Sequence, residues 1–188
     1  MTELYLVRHG QTEWSRDGRH TGSTDIELTE QGRAEAELLR PRLAELSFDL
    51  VLSSPLRRAL DTARIAGFDP DRVEVTEDLV EWGYGDYEGI TSATIRETDR
   101  GWTVWTHPSP GGETAAQVTE RLGRVIERIR ASGVERVLCF GHGHASRALT
   151  LLWLGLDLTR GDSFPLETGR LSVLGQHKEQ PALIAWNS

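Results

Sequence analysis

Several features that would classify a chain at once are missing from this one. There is one cysteine, Cys139, so an intrachain disulfide is impossible. That thiol lies in an apolar run, where a buried structural role outweighs that of a nucleophile. Positive charge is short: 21 Lys and Arg stand against 29 Asp and Glu, a formal net charge of −8. A basic face for nucleic acid is therefore not expected. An anionic small molecule stays open, provided a local positive pocket works against the field of the whole chain. No apolar run reaches the roughly 20 residues that a membrane helix needs, so no membrane association is expected. The chain starts as a strand, not as a basic segment followed by an apolar run. No signal peptide is read there, and a cytoplasmic protein is expected. Internal repeats, linkers and low-complexity segments are also missing. The 188 residues suit one domain spanning residues 1–188.

What the chain does have is a series of apolar runs that stop abruptly at chemistry. Leu4-Tyr5-Leu6-Val7 reads as a buried strand over about residues 3–7, and it breaks into Arg8-His9-Gly10. Phe48-Asp49-Leu50-Val51-Leu52 is a second strand, ending in Ser53-Ser54-Pro55 with Arg57-Arg58 behind it. Arg136 to Phe140 is a third, ending in Gly141-His142-Gly143-His144. A long polar loop over 11–26 precedes a helix capped by Thr29, with Leu38, Leu39, Leu43 and Leu46 as its apolar stripe and Pro41 as a bend. Pro55, after a Ser cap, is expected to open the next helix, which turns Leu56, Leu60 and Ala63 inward and stops at Gly67. A short strand at Val73 to Val75 and an irregular, glycine-rich segment over Glu81 to Gly89 come next. Residues 90–112 read as a short helix and a loop. Glu113 or Thr114 starts a helix with Val118, Leu122, Val125, Ile126 and Ile129 on one face, and another, carrying Leu149, Leu152 and Trp153, follows His144. Two last strands lie near 171–174 and 182–186. Buried strands alternating with helices predict an α/β fold, a three-layer α/β/α sandwich with a mostly parallel central sheet.

In such a sheet the three polar strand ends share one edge, where ligands bind. That brings two histidines and two or three arginines into one pocket. Such a charge cluster is costly unless an anion fills it. Guanidinium forks, imidazoles and helix N-termini suit a phosphate dianion. Gly10 allows a tight turn and close approach of a ligand. His9 could be a nucleophile, a base or a metal ligand. A metal is disfavoured, because no strong carboxylate cluster accompanies the histidines and the adjacent arginine repels a cation.

Leu-Val-Arg-His-Gly-Gln-Thr-Glu-Trp at 6–14, Ser53-Ser54-Pro55-Leu56-Arg57-Arg58-Ala59, Glu81 and Gly141-His142-Gly143 together resemble the histidine phosphatase superfamily, the clan of cofactor-dependent phosphoglycerate mutases, fructose-2,6-bisphosphatases and histidine acid phosphatases. The similarity covers nearly the whole chain, with the motifs in the family's order. It implies a phosphoglycerate mutase-like fold and a phosphohistidine formed on His9. Arg8, Arg58 and His142 would line the phosphate pocket. Glu81 would donate a proton to the leaving oxygen and later take one from water. Backbone amides at Thr21, Gly22 and Gly143 would add donors, and no metal or organic cofactor is implied. A bound phosphate dianion favours the acid form of Glu81, so an acidic to neutral optimum is expected.

Neighbouring residues compete for some of these roles. Arg57 is expected to face solvent, since adjacent helix residues point apart. Glu81 is preferred over Asp86 and Glu88 as the proton donor, and Glu88 reads as a structural hydrogen-bonding group. Substrate contact and an ordinary surface place both stay open for His20 and His144, whereas His107 and His177 read as surface residues. Trp82, Trp102 and Trp105 are expected in the core. Ser15 stands where mutases usually carry Asn, and its hydroxyl can still donate to phosphate.

The insertion that grips phosphoglycerate in mutases is reduced here to residues 90–110, without the basic pair expected near Trp102-Thr103-Val104-Trp105. That favours a phosphatase. The run over 81–89, the Trp-x-x-Trp at 102–105, Gly112-Glu113-Thr114 and Gly141-His142-Gly143-His144 are similar to a subgroup of sugar bisphosphatases (sedoheptulose-bisphosphatase-like) and bacterial acid phosphatases. A small sugar phosphate or bisphosphate is the expected substrate, and a dimer is the first expectation for assembly. A 2,3-bisphosphoglycerate-dependent mutase is the alternative. A non-catalytic phospho-ligand module is a further one, disfavoured because Arg8, His9, Arg58, Glu81 and His142 are all present.

Overall fold

A computed structural model describes residues 2–188. Strand β1 (Glu3–Arg8) leads through the short α1 (Glu13–Arg16) to α2 (Glu30–Ala44), β2 (Leu50–Ser53), α3 (Arg57–Ile65) and β3 (Glu74–Val75). Then come α4 (Ser92–Thr98), α5 (Ala115–Ser132), β4 (Arg136–Gly141), α6 (Gly143–Leu154), β5 (Leu171–His177) and β6 (Gln180–Ala185). The six-stranded sheet has the order β3-β2-β4-β1-β5-β6. Strands β3, β2, β4 and β1 run parallel, and β5 and β6 add an antiparallel margin.

Side chains alternate across a strand, so each buried strand serves two cores. Leu4 and Leu6 of β1 pack with Val118 and Leu122 of α5 and Leu149 of α6. Tyr5 and Val7 pack on the other face with Leu39 and Leu43 of α2 and Ala59 and Ala63 of α3. Each fully buried aliphatic side chain contributes about 1.5–3 kcal/mol. The apolar, two-sided strands therefore demand helices on both faces, and the three-layer sandwich is what is found. Cys139 lies inside this core, and burial pushes its thiol up to about 12. Trp82, Trp102 and Trp105 are buried as well.

The parallel register brings the strand ends level. Arg8 pairs with Gly141, and Ser53 with Phe140. The ladder continues one step past each strand, with His9 N donating to the Gly141 carbonyl at 2.9 Å and Ser54 N to the Phe140 carbonyl at 3.0 Å.

Four details differ from the sequence reading. Pro55 does not open α3; the helix starts at Arg57, and its N-cap position, Leu56, has no side-chain cap. The Ser54 hydroxyl lies 2.8 Å from His142 Nε2 and 3.3 Å from Leu56 N, so it serves the site. Leu56 and Leu60 are only half-buried. Leu38 is 72% exposed and Leu46 falls beyond the end of α2, so Ala36, Leu39 and Leu43 make that helix's buried stripe. The last strands are longer than expected, because Lys178 and Glu179 form a two-residue turn with φ of 49° and 68°. Such turns usually carry Asn or Gly, and that signal is missing here.

The turn after β1 has a tight steric condition. A Cβ on Gly10 would lie 2.1 Å from the carbonyl oxygen of Gly32 in α2. The glycine thus admits the backbone of a helix, where the sequence reading had a ligand. Gly10→Ala is expected to lose about 2 kcal/mol or more by overpacking, seen calorimetrically as a melting temperature lower by roughly 5 °C. An unchanged melting temperature would contradict this contact.

Candidate active site

His9 stands at the carboxyl end of β1. Its Nδ1 lies 2.7 Å from the Gly10 carbonyl oxygen. A carbonyl only accepts, so Nδ1 carries the proton and Nε2 keeps its lone pair. Burial, and then the charges of Arg58 and Arg8, hold the ring's pKa well below 6.5. The neutral imidazole therefore has one nitrogen free to attack an electrophile. His9 lines a cavity of about 160 Å³ together with Arg8, Glu81, Tyr84, His144 and Arg147.

Arg8 donates through Nη1 to the Leu166 carbonyl, while its Nε is buried with no partner among the described residues. An unmet buried donor costs about 1–3 kcal/mol, which an anionic ligand would recover. The guanidinium lies over the start of α6, where a Cβ on Gly143 would be 3.2 Å from Arg8 Nε. Glycine at 143 lets that charge settle on the helix N-terminus without displacement.

Arg58 and His142 are both fully buried, and neither lines the cavity. Their polar atoms bond within the protein, directly behind the cavity-lining Thr21. Arg58 Nε donates to His142 Nδ1 at 3.1 Å, Nη1 to the Thr24 carbonyl at 2.8 Å, and Nη2 to the Thr21 and Gly22 carbonyls at 3.2 and 2.8 Å. Guanidinium never accepts, so His142 carries its proton on Nε2 and donates it to Ser54 Oγ at 2.8 Å. The imidazole rings of His9 and His142 sit 5.2 Å apart, edge to face. Arg57, in contrast, is exposed and pairs with Glu27.

Glu81 comes from the irregular segment after β3 and is buried against the start of α6. Its Oε1 accepts from Trp82 N and Ala145 N, each at 2.8 Å, and its Oε2 from His144 N at 3.0 Å. These amides fix the carboxylate at the cavity wall, on the positive end of α6. Buried positive charge dominates around it. Burial lowers the pKa of both Arg8 and Arg58, with Glu81 the leading opposing charge. The assembly offers a nucleophilic nitrogen, an unmet cationic donor and a fixed carboxylate around a small cavity. That combination suits capture of a phosphoryl group.

The family model for the histidine phosphatase superfamily, branch 1, matches residues 4–188. The chain belongs to this superfamily. An acid phosphatase of Mycobacterium tuberculosis is 45% identical over 92% of this chain and 85% of its own length. Sedoheptulose 1,7-bisphosphatase of Saccharomyces cerevisiae is 34% identical over 82% of this chain and 68% of its own. The solved structure of a Mycobacterium tuberculosis open-reading-frame product superposes with a TM-score of 0.94 at 42% identity, covering 99% of this chain and 97% of that one.

Around the core of this histidine phosphatase the remaining expected residues divide. Thr21, Gly143 and His144 line the cavity. Gly22 does not: its amide donates to Glu88 Oε1 at 2.9 Å, as does Thr24 N. Glu88 is thus the structural acceptor that shapes the loop Arg58 holds. Ser15 lines the cavity, yet its hydroxyl donates to the Thr12 carbonyl at 3.0 Å and accepts from Thr12 N at 2.9 Å. Its oxygen, accepting from Thr12 N, completes the capping box of α1. His20 and His144 both line the cavity, which settles their place away from the open surface. Their rings meet Tyr84, whose hydroxyl bonds His144 Nδ1 at 2.7 Å. Burial, and then Arg147, holds His144 well below 6.5.

Sequence reading missed Tyr84, Arg147 and Leu166. Arg147 was accessible to it: four residues after Gly143 on one helix, it shares that residue's face. It donates to the Gly161 carbonyl and Asp162 and sits 4.8 Å over the Trp105 ring.

Four buried histidines, three of them lining the cavity, are held neutral, so acid should unfold this phosphatase. Burial, and then Arg96, lowers His20 to about 4. The unfolded chain protonates His20 near 6.5 and the folded one does not. Stability is therefore full above about pH 6.5 and falls toward pH 4, at up to about 1.4 kcal/mol per pH unit for each such histidine. Melting temperatures of wild type and His20→Asn between pH 7 and 4 should show a shallower decline in the variant. Parallel curves would contradict the assignment.

Proposed function

We propose that this phosphatase hydrolyses phosphomonoesters of small sugars, bisphosphates included, by way of a phosphohistidine on His9 and without a metal. The observation that carries the reading is the His9 tautomer, with Nδ1 tied to the Gly10 carbonyl and Nε2 free. In the first step Nε2 attacks phosphorus and the ester oxygen leaves with a proton from Glu81. In the second, water attacks the phosphohistidine, Glu81 takes its proton, and inorganic phosphate departs with His9 regenerated. Arg8 and the amide of Gly143 stabilise the charge on the transferring oxygens, and Arg58, bonded to the neutral His142, supplies further positive field. The whole of residues 1–188 acts as one phosphatase domain, with a metabolite as partner and the cytoplasm as its place. No described helix is long and apolar enough to cross a membrane.

Arg147 supports a second anionic group on the substrate. It is anchored by Gly161, Asp162 and the Trp105 face, and its Nη1 has no hydrogen-bond partner among the described residues. It lines the cavity together with Arg19 and His20. The mutase alternative is weaker, because no cavity-lining residue comes from 90–110 and Arg96 donates to the Trp102 carbonyl.

The test is phosphate release in excess EDTA from a sugar bisphosphate, a sugar monophosphate and 3-phosphoglycerate. Release should persist with EDTA and vanish in His9→Ala. Arg147→Met should raise KM for the bisphosphate about tenfold, on the order of one charge-assisted contact, and leave the monophosphate nearly unchanged. Loss of release in EDTA, or retention of it in His9→Ala, would refute the route.

A further inference from the structure

The segment that bears Glu81 is gripped from behind by an ion pair that never reaches the cavity. Arg121 of α5 and Glu113, just before that helix, meet in a bidentate pair, Nε to Oε1 at 2.7 Å and Nη2 to Oε2 at 3.0 Å. Arg121 is buried, and the rest of its donors point along one stretch of backbone. Nη1 donates to the carbonyls of Asp78 at 3.0 Å and Val80 at 2.9 Å, and Nη2 to that of Glu81 itself at 3.2 Å. Glu113 completes the grip. Its Oε2 accepts from Gly83 N at 2.7 Å, its backbone N donates to the Gly83 carbonyl at 2.8 Å, and its carbonyl accepts from Trp82 Nε1 at 3.0 Å. Neither residue lines the cavity.

We infer that Arg121 and Glu113 are positioning residues that set the angle at which the Glu81 carboxyl delivers its proton. The inference rests on Glu81 being the proton donor. A buried ion pair is a poor stabiliser compared with well-packed apolar side chains. This one directs its hydrogen bonds onto residues 78–83, immediately around the acid. The carboxylate is held in front by three amides, two of them from α6, and its backbone is held behind by α5. Proton transfer in the transition state depends on heavy-atom distances of about 2.6–3.2 Å, so a small rotation of this segment impairs it. Phosphate binding by Arg8 and attack by His9 do not pass through the clamp.

The distinguishing readout is the leaving group. p-Nitrophenolate departs readily without a proton, whereas the alkoxide of glycerol phosphate needs one. The ratio kcat/KM covers only steps through leaving-group departure, so the later use of Glu81 as a base does not enter. Glu113→Gln and Arg121→Lys should lower kcat/KM for glycerol phosphate about tenfold or more and for p-nitrophenyl phosphate by less than about threefold. Glu113→Gln keeps volume and one acceptor oxygen, and it carries the test if the arginine variant does not fold. Equal losses on both esters, or no loss on either in a variant that melts within a few degrees of wild type, would overturn the inference. Glu81→Gln, run alongside, should show the same selectivity more strongly. If it does not, the proton-donor reading itself fails, and the two failures are told apart.

Discussion

Two guanidinium groups buried beside a histidine impose the condition that the rest of this molecule satisfies. Charge removed from water is tolerated only with partners. Arg58 has them in full: His142 and three carbonyls of the 21–24 loop. Arg8 keeps one donor without a partner at the cavity side. The same pair of charges, added to burial, denies His9 a proton and leaves it neutral. One electrostatic arrangement thus prepares both the nucleophile and the anion site. The parallel sheet makes it possible by ending β1, β2 and β4 at one level, and the antiparallel β5 begins at that same edge, where Leu166 of the segment before it meets Arg8.

Support for the site is layered. Glu88 shapes the loop that Arg58 holds, Ser54 fixes His142, and His142 receives Arg58. The carboxylate of Glu81 is placed by the first turn of α6, and its backbone by Arg121. Each of these helpers is buried or partly buried and several residues remove potential ligand contacts from the cavity. The pocket that remains is small and lined by neutral rings as well as charge. This matches a phosphatase for compact metabolites better than a site for a large phosphorylated surface.

The fold was legible in the sequence because apolar runs uninterrupted by polar residues require cover on both faces, and only a layered α/β arrangement gives that to strands alternating with helices. The core site residues were legible because charged and titratable residues directly after such runs have only the sheet edge to occupy. Legibility failed where a residue's partner lies far along the chain. Nothing local reveals that Arg58 donates to carbonyls 34 to 37 positions earlier, or that the Ser15 hydroxyl bonds the backbone of Thr12. Gly10 was rightly singled out, though for a contact with Gly32 that no local pattern announces. The Lys178-Glu179 turn was invisible because its left-handed backbone is adopted by residues that rarely signal it.

The chemistry at this site is decided by which nitrogen of His9 attacks. Rapid quench of the enzyme with a ³²P-labelled substrate at alkaline pH, followed by peptide mapping and ³¹P NMR of the trapped protein, would show it directly. The hydrogen bond from Nδ1 to the Gly10 carbonyl predicts an acid-labile phosphoryl group on His9 at Nε2. Phosphate on Nδ1, on another side chain, or no covalent intermediate under single-turnover conditions with active enzyme would contradict it.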